Sequence, residues 1–440
     1  MFAIGKPRPG STRDSRRHYV KWRVNGHDKT RAFRTKGEAE RFRTSLFSAV
    51  QRGEHFDVGS GVPAAWIEDA LAPTWWTWSR EWLALKWPQW SGHSRRSAVE
   101  SLTVLTPLLV RRGAPAPPEG LHDWLRTTGF QPGADVDGGS ADWLTRWSVR
   151  LADITPALLE QVLLTATTKK DGTSRAPDVV RRRRNALGAV LRAAVRRELL
   201  TVNPLERVEW RPPARDLAVD ISTVPSPDDV RAIVDLVGAL ESDGARYSAL
   251  FAAVGIAGMR PSEAIGLRVR DVELPSKGWG LATLRGAVTS PGTRYTADRS
   301  VVEAKSLKQR AAGAVREVPL APALVADLRR HLERYESDDG RVFSNGVGRP
   351  MTTTGYGPVW VRARTRLWPK DHALEAATVY DLRHAAATLM LRANVPPAEV
   401  ARRLGHSVDV LMRVYAGVFD DERGRSNDLI DQALSSTQRA

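Results

Sequence analysis

Near the end of the 440-residue chain, Tyr380-Asp381-Leu382-Arg383-His384, then Leu404-Gly405-His406, then Tyr415 follow one another at short intervals. Those side chains suit phosphodiester chemistry. A guanidinium grips two non-bridging phosphate oxygens at once, an imidazole beside it adds a polar contact, and a phenol can attack phosphorus. A second guanidinium stands far upstream in Gly258-Met259-Arg260-Pro261-Ser262-Glu263. Between them lies the lysine-rich stretch Lys305-Ser306-Leu307-Lys308-Gln309-Arg310, so the order is Arg, Lys, Arg, His, Tyr. Each short motif recurs by chance in many proteins; the ordered set of five is the specific signal.

These residues resemble the tyrosine recombinases, or phage-type integrases. The family pattern of Arg with Glu three residues on, a hairpin Lys, His-x-x-Arg, Leu-Gly-His and a final Tyr matches Arg260, Glu263, Lys308, Arg383, Gly405, His406 and Tyr415 over roughly residues 215 to 425. The resemblance implies roles. Arg260 and Arg383 clamp the scissile phosphate, and Tyr415 attacks it to leave a 3′-phosphotyrosine and a free 5′-hydroxyl. Lys308 is the general acid for the leaving oxygen, with Lys305 as the alternative, and His406 hydrogen-bonds the phosphate. Bond energy is retained in the covalent link, so no cofactor, metal or ATP is expected. Tyr380 stands where the family has its usual His. A phenol with a reference pKa near 10 is a poor base at neutral pH, although it can still hydrogen-bond the phosphate. His384 reads as structural, and Glu263 as a residue that positions Arg260.

The elements that must hold these groups are legible in part. Lys308 is expected on a hairpin whose return strand is Arg316–Leu320. An apolar helix over Ala249–Gly258 ends before Arg260, and Pro261 suits the first turn of another. Pro396-Pro397 opens a helix that Gly405 closes, and Ser407 can cap the helix carrying Tyr415.

Upstream, Val20, Trp22 and Val24 alternate with Lys21 and Arg23, which reads as a half-buried strand. Asn25-Gly26 signals a tight hairpin, and a basic return strand carries Lys29 and Arg31. Thr35 and Glu38 make a capping box before a helix that puts Ala39, Phe42, Leu46 and Val50 on one face. Residues 1 to 52 hold 14 Lys or Arg against 4 Asp or Glu, which is most of the chain's net +16. This unit resembles the arm-site-binding domain of phage-type integrases, with a basic sheet that can enter a major groove.

After a linker at 55 to 63, Trp75, Trp78, Trp82 and Leu85 recur at helical spacing and read as a core face. Residues 113 to 140 are an irregular, Pro- and Gly-rich excursion. Pro177 to Leu200 is expected to form a long helix, with Val180, Leu187, Leu191 and Ala194 inside and Arg181, Arg182, Arg183 and Arg184 available to phosphates. This part resembles the family's helical core-binding domain.

The expected architecture is multidomain and mainly α with small β elements. It comprises an arm-binding β-sheet-plus-helix domain at 1–58, a helical core-binding domain at 64–212 and a mixed α+β catalytic domain at 217–440. The excess of positive charge points to double-stranded DNA as the partner. The family resemblance adds paired attachment sites, a homotetramer on DNA, and room for an excision factor or host DNA-bending protein; Leu429, Ile430 and Leu434 form an apolar strip that either docks on a neighbour or folds back on its own domain. With no cysteine, no apolar span and no signal-peptide core at its N-terminus, the chain reads as a cytoplasmic protein. A resolvase or type IB topoisomerase shares the chemistry, and a regulator that kept the fold without cleavage is the alternative from another class.

Overall fold

In the computed structural model the described residues are 3–5, 18–169, 171–210, 218–240, 242–307, 313–335 and 339–420, with 427, 431 and 434. Lys308 and the proposed strip residues Leu429 and Ile430 lie outside them.

Three antiparallel strands, β1 (Ala3–Gly5), β2 (His18–Val24) and β3 (His27–Phe33), form the first sheet in that order. Asn25 and Gly26 both have positive φ, 43° and 84°, so a two-residue turn matches the strand twist as the sequence suggests. Helix α1 (Lys36–Gln51) starts at the expected Thr35–Glu38 capping box. Its buried stripe joins Ala39 and Leu46 to Val20, Trp22 and Val24. The expected face is shifted at its end, where Ala49 is buried and Val50 is exposed. The stripe centres between Phe42 and Leu46, which leaves Val50 on its rim.

Helices α2 (Ala64–Leu71), α3 (Trp75–Lys86), α4 (Gly92–Leu105), α5 (Leu121–Trp124), α6 (Gly139–Trp147), α7 (Pro156–Thr167) and α8 (Pro177–Arg196) follow. The tryptophans form the core of this unit, as expected. Trp75, Trp76, Trp78 and Trp82 are buried with Leu187 and Leu191 of α8, while Leu85 is exposed because the stripe turns toward Leu83 instead. Indole N–H groups need acceptors when buried. Trp75 donates to Thr106 Oγ1 at 3.0 Å and Trp78 to the Val190 carbonyl at 3.0 Å, which fastens α3 to α8. The 113–140 excursion contains the single turn of α5.

The third unit is built on α10 (Ser248–Gly255), which is buried nearly all round and packs on α9 (Pro227–Gly238), α12 (Pro322–Arg334) and α14 (Val379–Arg392). A short helix, α11 (Pro261–Gly266), leads to an antiparallel sheet of β4 (Val272–Glu273), β5 (Gly280–Leu284) and β8 (Arg316–Leu320). Between β5 and β8 a separate ribbon pairs β6 (Ala287–Thr289) with β7 (Glu303–Lys305). Helix α13 (Thr353–Leu367) precedes α14, and α15 (Pro397–Leu404), α16 (Val408–Val414) and α17 (Ala416–Asp420) close the unit. Tyr415 is the residue just after α16, packed in a small cluster with Leu391, Leu404 and Leu411.

The loop between β6 and β7 reaches back to the helical unit. The Glu303 carboxylate accepts from the backbone N–H of Gly92, at 2.8 and 3.0 Å, and Arg95 Nη1 donates to the Tyr295 carbonyl at 2.8 Å. Tyr295 is buried against the tryptophan core, its ring 6.4 Å from that of Trp87.

Trp78→Phe removes the buried tie from α3 to α8 while keeping an aromatic ring. We expect a loss of about 1–2 kcal/mol, read as a lower urea midpoint with an unchanged slope.

Candidate active site

The C-terminus of α15 is the place where the candidate residues meet. Gly405 closes the helix with φ 64°, a conformation that favours glycine, and leaves the Leu404 carbonyl without a helical partner. Three guanidiniums take that carbonyl. Arg316 Nη1 donates to it at 3.2 Å and Arg260 Nη1 reaches it at 3.5 Å, and Arg383 Nη2 donates to it as well. The negative end of the helix dipole suits this clustering of cations. A Cβ on Gly405 would run into the Arg316 guanidinium, so a side chain is sterically excluded there too.

Glu263 is the anion at the centre. Arg260 is the N-cap residue of α11, and Glu263, three residues on, accepts its backbone N–H at 2.9 Å and its Nη1 at 2.7 Å. From the opposite side Arg316 donates to both carboxylate oxygens, at 3.1 and 2.6 Å, and Arg383 Nη1 lies 4.0 Å away. Burial pushes the Glu263 carboxyl up, but Arg316, Arg260 and Arg383 together outweigh it and hold the group below its ordinary value. It is therefore ionised at neutral pH.

Arg383 is fully buried on α14. It donates to the Gly258 carbonyl, to Leu404 and, at 3.0 Å, to His406 Nε2. Burial first, then Arg260, lowers its pKa to about 10, which leaves it a cation at neutral pH. His406 is pushed down to about 3 by burial and by Arg383, Arg260 and Arg316, so its ring is neutral. With Nε2 accepting from Arg383, the proton sits on Nδ1. Among the described residues that atom and Arg383 Nε are buried without a partner, two donors suited to an anion's oxygens.

Tyr380, at the start of α14 behind the Thr378–Asp381 capping box, is exposed and meets His384 edge to face, with ring centroids 5.4 Å apart. Tyr415 is fully buried, and its hydroxyl lies 2.8 Å from His384 Nδ1. Burial raises the phenol's pKa well above its ordinary value. Lys305 lies on β7 opposite Ala287, half-buried, near enough to His93 of α4 to lower that imidazole's pKa, after burial.

The structure thus brings Arg260, Arg383 and His406 into one cluster with Tyr380 and Tyr415 beside it. It also adds Arg316, which the sequence reading missed. The available signal is period 2: Arg316, Val318 and Leu320 share the buried face of β8, and a charge on a buried strand face demands a buried counter-ion.

Residues 225–422 match the model of the phage integrase family. Over that segment the chain is similar to the family. Among solved structures it is similar in fold to the Tn1549 transposon integrase in complex with a circular intermediate DNA. That match has 17% identity, 64% of this chain and 87% of the other covered, and a TM-score of 0.51. A lambda integrase dimer bound to a COC′ core site matches over 92% of this chain and 94% of the other, at 13% identity and a TM-score of 0.50. No curated protein matches the chain in sequence.

The expected DNA-facing residues divide. Lys21 and Arg23 are exposed on the outer face of β2, with Arg23 paired to Asp28 at 2.6 Å. Lys29 and Arg31 lie opposite Trp22 and Val20 in register, hence on the helix side of the sheet. There Lys29 Nζ donates to the Gly59 carbonyl at 2.6 Å and Arg31 stacks on Phe42, 5.0 Å from the ring centroid. On α8, Arg182 is exposed; Arg181 and Arg184 are half-buried, and Arg183 is tied to the Ala166 carbonyl of α7.

Glu263→Gln leaves three guanidiniums without their carboxylate, and we expect a loss of roughly 3 kcal/mol or more in urea unfolding. Because the native carboxyl titrates below its unfolded value, its contribution is complete above about pH 5 and drains away as pH falls through the native pKa. A pH series of wild type against Glu263→Gln should converge toward the acid end. Gly405→Ala should cost about 1–3 kcal/mol, since Arg316 is held on both sides and cannot yield.

Proposed function

We propose that this chain is a site-specific DNA recombinase of the integrase type, cleaving and rejoining two short duplex sites through a 3′-phosphotyrosine to move a phage or other mobile element. The observation that carries the proposal is the convergence of Arg260, Arg383 and His406 on the end of α15, with Tyr415 following the next helix, inside the family-matched segment.

Phosphoryl transfer without a metal needs charge neutralisation, an in-line nucleophile and a proton for the departing oxygen. In this reading Arg260 and Arg383 carry the first task. Each has a planar fork, and the Glu263 carboxylate holds them in one orientation so that no reorganisation is needed as charge develops. His406 donates from Nδ1 to a non-bridging oxygen, and Tyr380 adds a phenol hydrogen bond. Tyr415 attacks phosphorus. A lysine of the 305–308 stretch, Lys308 or Lys305, protonates the 5′-oxygen. Rejoining is the same step reversed.

We further propose that residues 1–58 bind arm-type sites, with Lys21 and Arg23 as the phosphate contacts and Lys29 and Arg31 at the sheet's rim. Residues 64–212 would bind the core site, led by Arg182 with Arg181, Arg183 and Arg184 along the same turn, and residues 217–440 would be catalytic. Four protomers would act on two duplexes in the bacterial cytosol, with an excision factor or host DNA-bending protein as possible helpers. No helix among the described residues is long and apolar enough to cross a membrane.

The test is covalent capture. Nicked duplexes of randomised sequence are incubated with the protein, and SDS-resistant adducts are recovered and sequenced. Wild type should enrich a defined site, and Tyr415→Phe should give no adduct. Arg383→Lys should lower adduct formation by about 10²–10³-fold, since an ammonium cannot reproduce the planar pair of donors. Tight binding with no adduct from any sequence would favour the regulator, and supercoil relaxation without a second site would favour a topoisomerase.

A further inference from the structure

The departure at Tyr380 leaves the attacking phenol without the imidazole that the family pattern supplies at that position. Among the described residues, one other ring takes up contact with the reacting atom. His384 Nδ1 lies 2.8 Å from Tyr415 Oη, a direct hydrogen bond, with the rings 5.7 Å apart at 57°. We infer that His384 is the proton acceptor for Tyr415, taking the phenol proton on Nδ1 as the oxygen attacks phosphorus. The inference rests on the proposed role of Tyr415 as nucleophile.

Three neighbours are unsuited to this task. His406 uses its Nε2 lone pair to accept from Arg383, and its remaining nitrogen carries a proton. Tyr380 is another phenol and offers no ring nitrogen to take the proton. Arg383 is a cation. The groups facing the His384 ring are Tyr380, Asp381 and Arg383 of its own helix, Tyr415 beyond α16, and His406 after α15. Burial, the largest effect, lowers the His384 pKa below the ordinary value, Asp381 pulls it back up, and Arg383 lowers it further. The imidazole is therefore neutral, with a lone pair to accept a proton, throughout the neutral range.

The step balances. The Oη–H bond breaks and its proton moves to Nδ1, giving an imidazolium. The phenolate pair forms the O–P bond, and the P–O5′ bond breaks with its pair leaving on the 5′-oxygen, which is protonated by the lysine of the 305–308 stretch. On rejoining, the 5′-hydroxyl gives its proton back to the lysine as it displaces the tyrosine oxygen, which recovers its own proton from the imidazolium.

The test measures single-turnover adduct formation on the nicked duplex captured from the randomised library. His384→Ala should slow it by about 100-fold or more, within the usual range for a positioned base, while affinity for the uncleaved duplex stays within about threefold of wild type. Added imidazole should restore the rate about tenfold or more, following its neutral fraction as pH is varied. His384→Gln fills the space and can hydrogen-bond but cannot take a proton, so it should remain slow and ignore imidazole. Wild-type cleavage should be flat from about pH 6.5 to 8 and fall only in acid. An Ala variant within threefold of wild type, or one that imidazole does not accelerate, overturns the inference. Should the Ala variant fail to fold, a Gln variant cleaving at the wild-type rate overturns it. An adduct formed by Tyr415→Phe would instead overturn the assignment of the nucleophile.

Discussion

Arg260, Arg316 and Arg383 share a single buried carboxylate, that of Glu263, and a single helix-end carbonyl, that of Leu404. Three positive charges against one negative in a buried setting is a costly arrangement unless each donor is hydrogen-bonded. Much of the third unit serves that condition. The N-terminus of α11 presents Glu263, the buried face of β8 presents Arg316, α14 presents Arg383, and the left-handed turn at Gly405 frees the carbonyl. In the proposed reading, an incoming phosphate neutralises the surplus of positive charge, and the hydrogen-bonded network aims the guanidiniums before it arrives.

Tyr415 belongs to a separate small core, with Leu391, Leu404 and Leu411, that contacts the arginine cluster through α14 and the end of α15. Its hydroxyl is satisfied by His384, so the buried polar atom costs little. One helix, α14, therefore carries both the guanidinium of Arg383 and the imidazole beside the phenol. The lysine-bearing strand is held from elsewhere, because β7 and its loop are bonded to Gly92 and Arg95 of the helical unit. The arginine cluster and the lysine-bearing strand thus answer to different parts of the chain.

The basic residues of the first two units do more than one thing. Arg31 covers the aromatic side of its sheet, and Arg183 bonds α8 to α7. Long cationic side chains pack along apolar surface while keeping their heads polar, so net charge exceeds the number of heads presented outward. Lys21 and Arg182 are exposed, as is Arg23, which is paired with Asp28.

Read as a string, the chain discloses local features: the hairpin at Asn25-Gly26, the capping box at Thr35, the tryptophan face, the Gly405 helix stop and the ordered Arg, Arg, His and Tyr. Each depends on neighbours within one or two turns, and such rules act over that range. The rim positions escape them, since Val50 and Leu85 fit the period of their helices and yet lie outside the buried stripe, whose direction is set by the opposing element. Sequence order likewise cannot say that Arg316 and Arg260 meet on opposite sides of Glu263, or that His384, rather than Tyr380, touches Tyr415. Those contacts span 31 to 53 residues of chain and exist only because burial forces each polar atom to find a partner in three dimensions. Chemistry was therefore determined by composition and order, and the division of labour among its groups by tertiary packing.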